Sequence, residues 1–220
     1  MRAAHHVRQG VRRTEPRYAA SLTALMRDVR PGCEIIAVTG GEWSLADLVF
    51  ALAEQDAPAD IDITSWTVGR QTIETMAALM GRHIVGRVRW LVDRGFPARQ
   101  PSYATRMARL FPLDCIRAVR VHAKWIVISG RRTRYAIRTS CNLNVNPRME
   151  IVEISGDPAL AAFLSEVMDG YWREVPAGFP DHAMMTAGQR AAEGGMAADA
   201  DPADALADAE AWIARQMDLV

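Results

Sequence analysis

The chain has 220 residues, half of them hydrophobic, and its 26 basic and 26 acidic side chains cancel to a formal net charge of zero. That size and apolar content suit one domain of about 150 residues plus appendages, and neutrality removes any whole-molecule electrostatic pull toward a polyanion. Cys33, Cys115 and Cys141 are odd in number and lack zinc-like spacing, and no run approaches about 18 apolar residues, so reduced thiols, a cytoplasmic location and no membrane partner are expected.

Residues 1–30 hold seven arginines against Glu15 and Asp28 and read as a basic arm whose 11–30 portion is helical, with Tyr18, Leu22, Leu25 and Met26 at helical spacing. Pro31-Gly32 stops that helix. A strand is predicted over 34–39, then a turn through Gly40-Gly41-Glu42-Trp43-Ser44 into a helix over 45–54 capped by Ser44. Strand, glycine turn and helix suggest a phosphate loop, but neither G-x-x-x-x-G-K-[ST] nor G-x-G-x-x-G is present. Strands over 61–68 and 87–92 alternate with helices over 71–80 and 102–111. Strands over 115–128, bent near Arg120, then 135–142 and 149–154, follow with no helix between them, and Asp157-Pro158 opens a helix to about Arg173. The fold class is therefore α/β: a mixed sheet flanked by helices on both faces, with an antiparallel end.

Residues 31–176 form the predicted domain. After it, residues 177–201 read as a linker, and 203–217 regain helical spacing through Leu206, Ala209, Ile213 and Met217 in an acidic context. That segment is a candidate shield for a basic groove or a docking helix for a protein partner.

Chemistry concentrates in the antiparallel part. Of the 26 basic residues only one, Lys124, is a lysine, and it stands two residues from His122. Lysine offers a compact point charge that arginine's planar fork does not reproduce, so a site shaped around one ammonium resists the exchange. Period two puts His122 and Lys124 on one strand face and Ser140 and Asn142 on one face of the next. A hairpin centred near Arg132 would set His122 opposite Asn142 and Lys124 opposite Ser140, whereas a slip of one residue would separate the pairs. Cys141 would then point into the core.

His122-x-Lys124, a turn, Ser140-x-Asn142 and an acidic residue opening the next strand resemble the phospholipase D superfamily, with its H-x-K-x4-D and G-S-x-N motifs. The motif's aspartate falls on Ser129 and its glycine on Thr139. The run from Thr139 to Glu150 also resembles single-motif members of phages and prophages. The resemblance implies metal-independent, cofactor-free phosphodiester chemistry in which His122 is nucleophile or general acid and Lys124, Ser140 and Asn142 bind phosphate. Glu150 would accept a hydrogen bond from a histidine, with Glu153 as fallback on the other strand face. The family's layout also puts Gly40, Glu42 and Trp43 at the border of the site, with packing the favoured role for Trp43. With one H-x-K per chain, the resemblance further implies a homodimer with a composite site. Arg131, Arg132, Arg134, Arg138 and Arg148 bracket the motif and suggest a phosphate-tracking groove, which favours nucleic acid and a nuclease over a lipid phosphodiesterase or transferase. A non-catalytic nucleic-acid-binding or phage-assembly protein is the alternative raised by Ser129 and Thr139.

Overall fold

A computed structural model describes residues 21–144 and 148–180. The basic arm up to residue 20, the linker from residue 181 onward and the acidic segment over 203–217 lie outside the described residues. The chain runs α1 (Leu22–Met26), β1 (Glu34–Thr39), α2 (Leu45–Gln55), β2 (Ala59–Ser65), α3 (Arg70–Gly81), β3 (Val85–Asp93), α4 (Phe96–Arg99), α5 (Pro101–Leu110), β4 (Ile116–Val119), β5 (Trp125–Ser129), β6 (Arg134–Thr139), β7 (Glu150–Ser155) and α6 (Pro158–Glu174). Among the described residues no helix is long and apolar enough to cross a membrane.

The strands form one mixed sheet in the order β1-β7-β6-β5-β2-β3-β4. β2, β3 and β4 are parallel, and the remaining pairs are antiparallel. Alternation along β5 divides the core. Ile126 and Ile128 join the large cluster built with α2, α3 and α5, whereas Val127 packs with Ala136 under Leu160, Ala161 and Leu164 of α6. Helix α2 starts where the sequence places it, because Ser44 and Asp47 form a reciprocal capping box.

Three predicted elements are corrected. The helix read over 102–111 starts earlier, as α4 followed by α5, each with a proline in its first turn. The single bent strand over 115–128 is two strands in different places: β4 sits at the sheet edge beside β3, and β5 lies between β2 and β6. Residues 120–124 are the crossing between them, so His122 and Lys124 precede β5 instead of lying within it. The hairpin is also one residue out of the predicted register. Gly130 N–H donates to the Thr133 carbonyl, Trp125 pairs with Arg138, and the turn centres between Arg131 and Arg132.

That register is pinned by a buried carboxylate outside the hairpin. Asp56 accepts from the backbone N–H groups of Arg132 and Thr133, each at 2.7 Å, and from the Thr133 hydroxyl at 2.8 Å. Gly130 is required there, since a Cβ would lie 2.5 Å from Asp56 Oδ2. Burial alone would raise the Asp56 carboxyl, but the Arg132 and Thr133 donors outweigh it and bring its pKa down to about 2. A depressed carboxylate pKa stabilises above the unfolded value, so this contribution is complete above roughly pH 4 and drains away as pH falls toward 2. Asp56→Ala is expected to cost about 3 kcal/mol, read as a lower urea midpoint at pH 7, with the gap to wild type closing below pH 3.

Candidate functional site

The end of the sheet where β1, β2, β3, β4 and β6 finish and β5 and β7 begin gathers the polar groups singled out by the sequence. Lys124 Nζ lies 3.5 Å from His122 Nε2 and donates to the His122 carbonyl at 3.0 Å. Partial burial draws the Lys124 ammonium below the ordinary lysine pKa, and the nearby Glu150 charge opposes that shift. Glu150 in turn accepts a very short hydrogen bond from the Ser140 hydroxyl, whose oxygen also accepts from Ile151 N–H at 3.1 Å. Asn142 and Glu150 line one cavity beside this group.

His122 and Lys124 touch, Ser140 bonds Glu150, and the Glu150 charge acts on Lys124, with Asn142 adjoining through the cavity, despite the one-residue difference in register. Strict alternation would put Ser140 on the face opposite Lys124, because Thr139 N–H donates to the Lys124 carbonyl at 3.1 Å. The ladder stops there. Thr139 Oγ1 donates to the Ile151 carbonyl at 2.8 Å and accepts from Cys141 N–H at 2.9 Å, fixing a bend that returns Ser140 to Glu150. Thr139, where the resembled motif has glycine, thus staples the turn that carries the site. Ser129 ends β5 at the far pole, paired with Arg134, and touches none of these groups.

Other expectations change. Glu150 is engaged by Ser140, and among the described residues no hydrogen bond joins it to His122. Glu153 faces the α6 side and pairs with Arg138 at 2.7 Å. Arg131, Arg132 and Arg134 sit at the hairpin end of β5, which at about 3.3 Å per residue is roughly 15 Å from the site. Of the five arginines proposed to border a groove, only Arg148 lines the adjoining cavity. Cys141 is buried, and burial pushes its thiol pKa up, as befits a core residue.

The sequence reading missed the support behind His122. Its ring meets Trp66 edge-on, with ring centroids 6.1 Å apart. Arg99 stacks over Trp66 at 3.9 Å, donates to the Trp66 carbonyl at 2.9 Å and pairs with Asp93 at 2.8 Å. Asp93 also accepts from Val121 N–H at 3.4 Å, which ties the crossing segment to the end of β3. The available signal was positional: Trp66 and Asp93 stand just at the carboxyl ends of parallel strands, where α/β sites collect.

The architecture is a phospholipase D-like α/β fold. No protein-family profile matches the chain, and no curated protein matches it in sequence. Among solved structures it is similar to the phospholipase D family member Nuc from Salmonella typhimurium, with a TM-score of 0.51 and 16% identity over 67% of this chain and 99% of that one. Looser likenesses are to polyphosphate kinase from Porphyromonas gingivalis, with TM-score 0.45 and 19% identity over 69% and 28% of the two chains. The archaeal chromatin protein TrmBL2 gives 0.42 and 12% over 71% and 58%.

Proposed function

We propose that the chain is a metal-independent phosphodiesterase of nuclease type, working through a phosphohistidine at a site shared by two copies. The observation that carries this reading is the placement of the sole lysine against His122, with Glu150, Ser140 and Asn142 alongside. His122 Nε2 of one copy attacks phosphorus, the P–O bond to the leaving alcohol breaks, and His122 of the second copy protonates the departing oxygen. Water then attacks phosphorus, gives its proton to that second imidazole, and releases the P–N bond. Lys124 holds the non-bridging oxygens as a point charge beside His122. The positions of Ser129 and Thr139 support an active reading over an inactive one, since the first is remote and the second builds the bend.

Lys124→Arg keeps charge but not shape, and is expected to lower kcat about 100-fold with a smaller change in KM. Steady-state cleavage of a phosphodiester in excess chelator measures both. Wild-type turnover in Lys124→Arg would dissociate the ammonium from the reaction.

A second copy has a surface to meet. Ile36 and Val38 on edge strand β1 are 71% and 65% exposed, and Ile151, opposite Val38 on β7, is also exposed on the same face. Helix α6 packs on β5 and β6 and leaves this strip bare, next to Glu150. Such an apolar strip suits a protein contact. Val38→Glu is expected to shift the protein to monomer in sedimentation equilibrium and to lower cleavage in parallel, with Tm unchanged. A Val38→Glu protein that stays dimeric and active would move the interface elsewhere.

A further inference from the structure

Three parallel strands end side by side at the site, β2 just before Trp66, β3 at Asp93 and β4 at Val119, and the crossing that carries His122 leaves from the last of them. Along that crossing His122 lies between two ties to the sheet. Val121 N–H donates to Asp93 Oδ2 at 3.4 Å, and Trp125 N–H donates to the Thr64 hydroxyl at 2.8 Å. The first is long, so it fixes the chain only if its acceptor is held still. We propose that Arg99, at the end of α4, is a positioning residue that clamps Asp93 to Trp66 and so sets where the His122 imidazole stands. The inference rests on the phosphodiesterase reading and names a residue that serves that reaction only through its neighbours.

One guanidinium makes the whole clamp. Nη1 donates to Asp93 Oδ1 at 2.8 Å, Nη2 donates to the Trp66 carbonyl at 2.9 Å, and the group lies 3.9 Å over the Trp66 ring, which meets the His122 ring edge-on. A planar fork that also stacks is what arginine offers and lysine does not. Asp93 Oδ1 accepts from Gly95 N–H as well, at 3.0 Å, while Oδ2 serves Val121. The Arg99 side chain is 33% exposed, and an ion pair in such a place adds little to stability. Its contribution is order, since a reacting group must be held within roughly 0.5 Å of its productive place by neighbours whose own rotamers are locked. A direct hold on the substrate does not suit it, because both terminal nitrogens are spent on protein acceptors and the plane on Trp66. Gly95 shows how close the fit is. Its backbone, at φ −85° and ψ −1°, suits any residue, yet a Cβ there would stand 2.5 Å from Arg99 Nη1 and 3.0 Å from Asp93 Oδ1. Gly95→Ala therefore pushes the guanidinium aside with its charge intact.

The test reads two things on the full chain: cleavage of bis(4-nitrophenyl) phosphate in chelator, and the proton resonance of the His122 ring Cε1–H, assigned by its loss in His122→Ala. Arg99→Met should lower kcat at least about tenfold, with KM within about twofold and the urea midpoint unchanged, and Gly95→Ala should follow it. Both variants should shift the His122 resonance and leave those of the other four histidines in place. Trp66→Phe, which keeps a ring beneath Arg99, should recover most of the activity that Trp66→Ala loses. Should Gly95→Ala fail to fold, Arg99→Met carries the test. Wild-type kcat in these variants of an active enzyme, a rise in KM without a fall in kcat, or an unmoved His122 resonance would overturn the proposal. The resonance is read without turnover, so the two readings fail separately. A shifted resonance in a protein that never cleaves sinks the catalytic reading alone, and cleavage with an unmoved resonance sinks the positioning role alone.

Discussion

His122→Ala is expected to lower phosphodiester cleavage by at least about 1,000-fold while leaving unfolding free energy within about 0.5 kcal/mol of wild type. The imidazole is exposed, and among the described residues its ring meets Lys124 at 3.5 Å and the Trp66 ring edge-on, with centroids 6.1 Å apart. Removing it opens no cavity and strands no buried donor, so stability has little to lose. In the proposed mechanism activity has everything to lose, because there the same side chain serves as nucleophile in one copy and as acid in the other. Cleavage assays in excess chelator, paired with urea denaturation of the same preparations, separate these two quantities.

Arg89→Ala is expected to have the largest effect on stability, about 3–5 kcal/mol, a large share of what a domain of this size possesses. Arg89 is buried and donates to Asp62 through Nε and Nη2, each at 2.6 Å, and to Asp169 of α6 through Nη1 at 2.5 Å. Asp62 also accepts from Ser165 at 3.1 Å, and Trp172 lies over Arg89 and Arg117 at 5.2 and 4.7 Å. Helix α6 therefore sits on the sheet through an apolar half, Leu160, Ala161 and Leu164, and an ionic and aromatic half centred on Arg89. Truncating the arginine leaves the buried Asp62 carboxylate with only the longer ionic contact to Arg87 at 4.0 Å, which costs more than the pair itself contributes. Replacing both members, Arg89→Met with Asp62→Leu, should recover most of the loss. Urea midpoints of the three variants check the sign and the recovery.

The succession of strands and helices was legible because each element carries its own period and its own stop. Ser44 announces α2, Pro158 opens α6, and the recurring apolar residues of β2 and β3 mark strands. Sheet order was not legible. Nothing local to Arg120 shows that the chain leaves one sheet edge and re-enters three places away, since β4 and β5 have similar compositions and only their partners differ. The hairpin register escaped for a related reason: it is fixed by Asp56, 76 residues from Arg132 in sequence. The site survived the register error because Thr139 ends the ladder, a tertiary event rather than a pattern of alternation. Proximity in sequence overstated the groove, since Arg131 and Arg132 are near His122 along the chain but stand at the opposite end of β5. The ladder of Asp60 and Asp62 facing Arg87 and Arg89 across parallel strands was written at period two, yet its meaning depended on knowing that α6 covers it.

The measurement that bears most directly on the central claim is a rapid quench of enzyme and substrate under alkaline conditions, which preserve phosphorus–nitrogen bonds, followed by peptide mass spectrometry. The account predicts a phosphoryl adduct on the peptide containing His122, present during turnover and lost in His122→Ala. An enzyme that turns over in chelator with no adduct on any histidine, or with the adduct on His83, would contradict it.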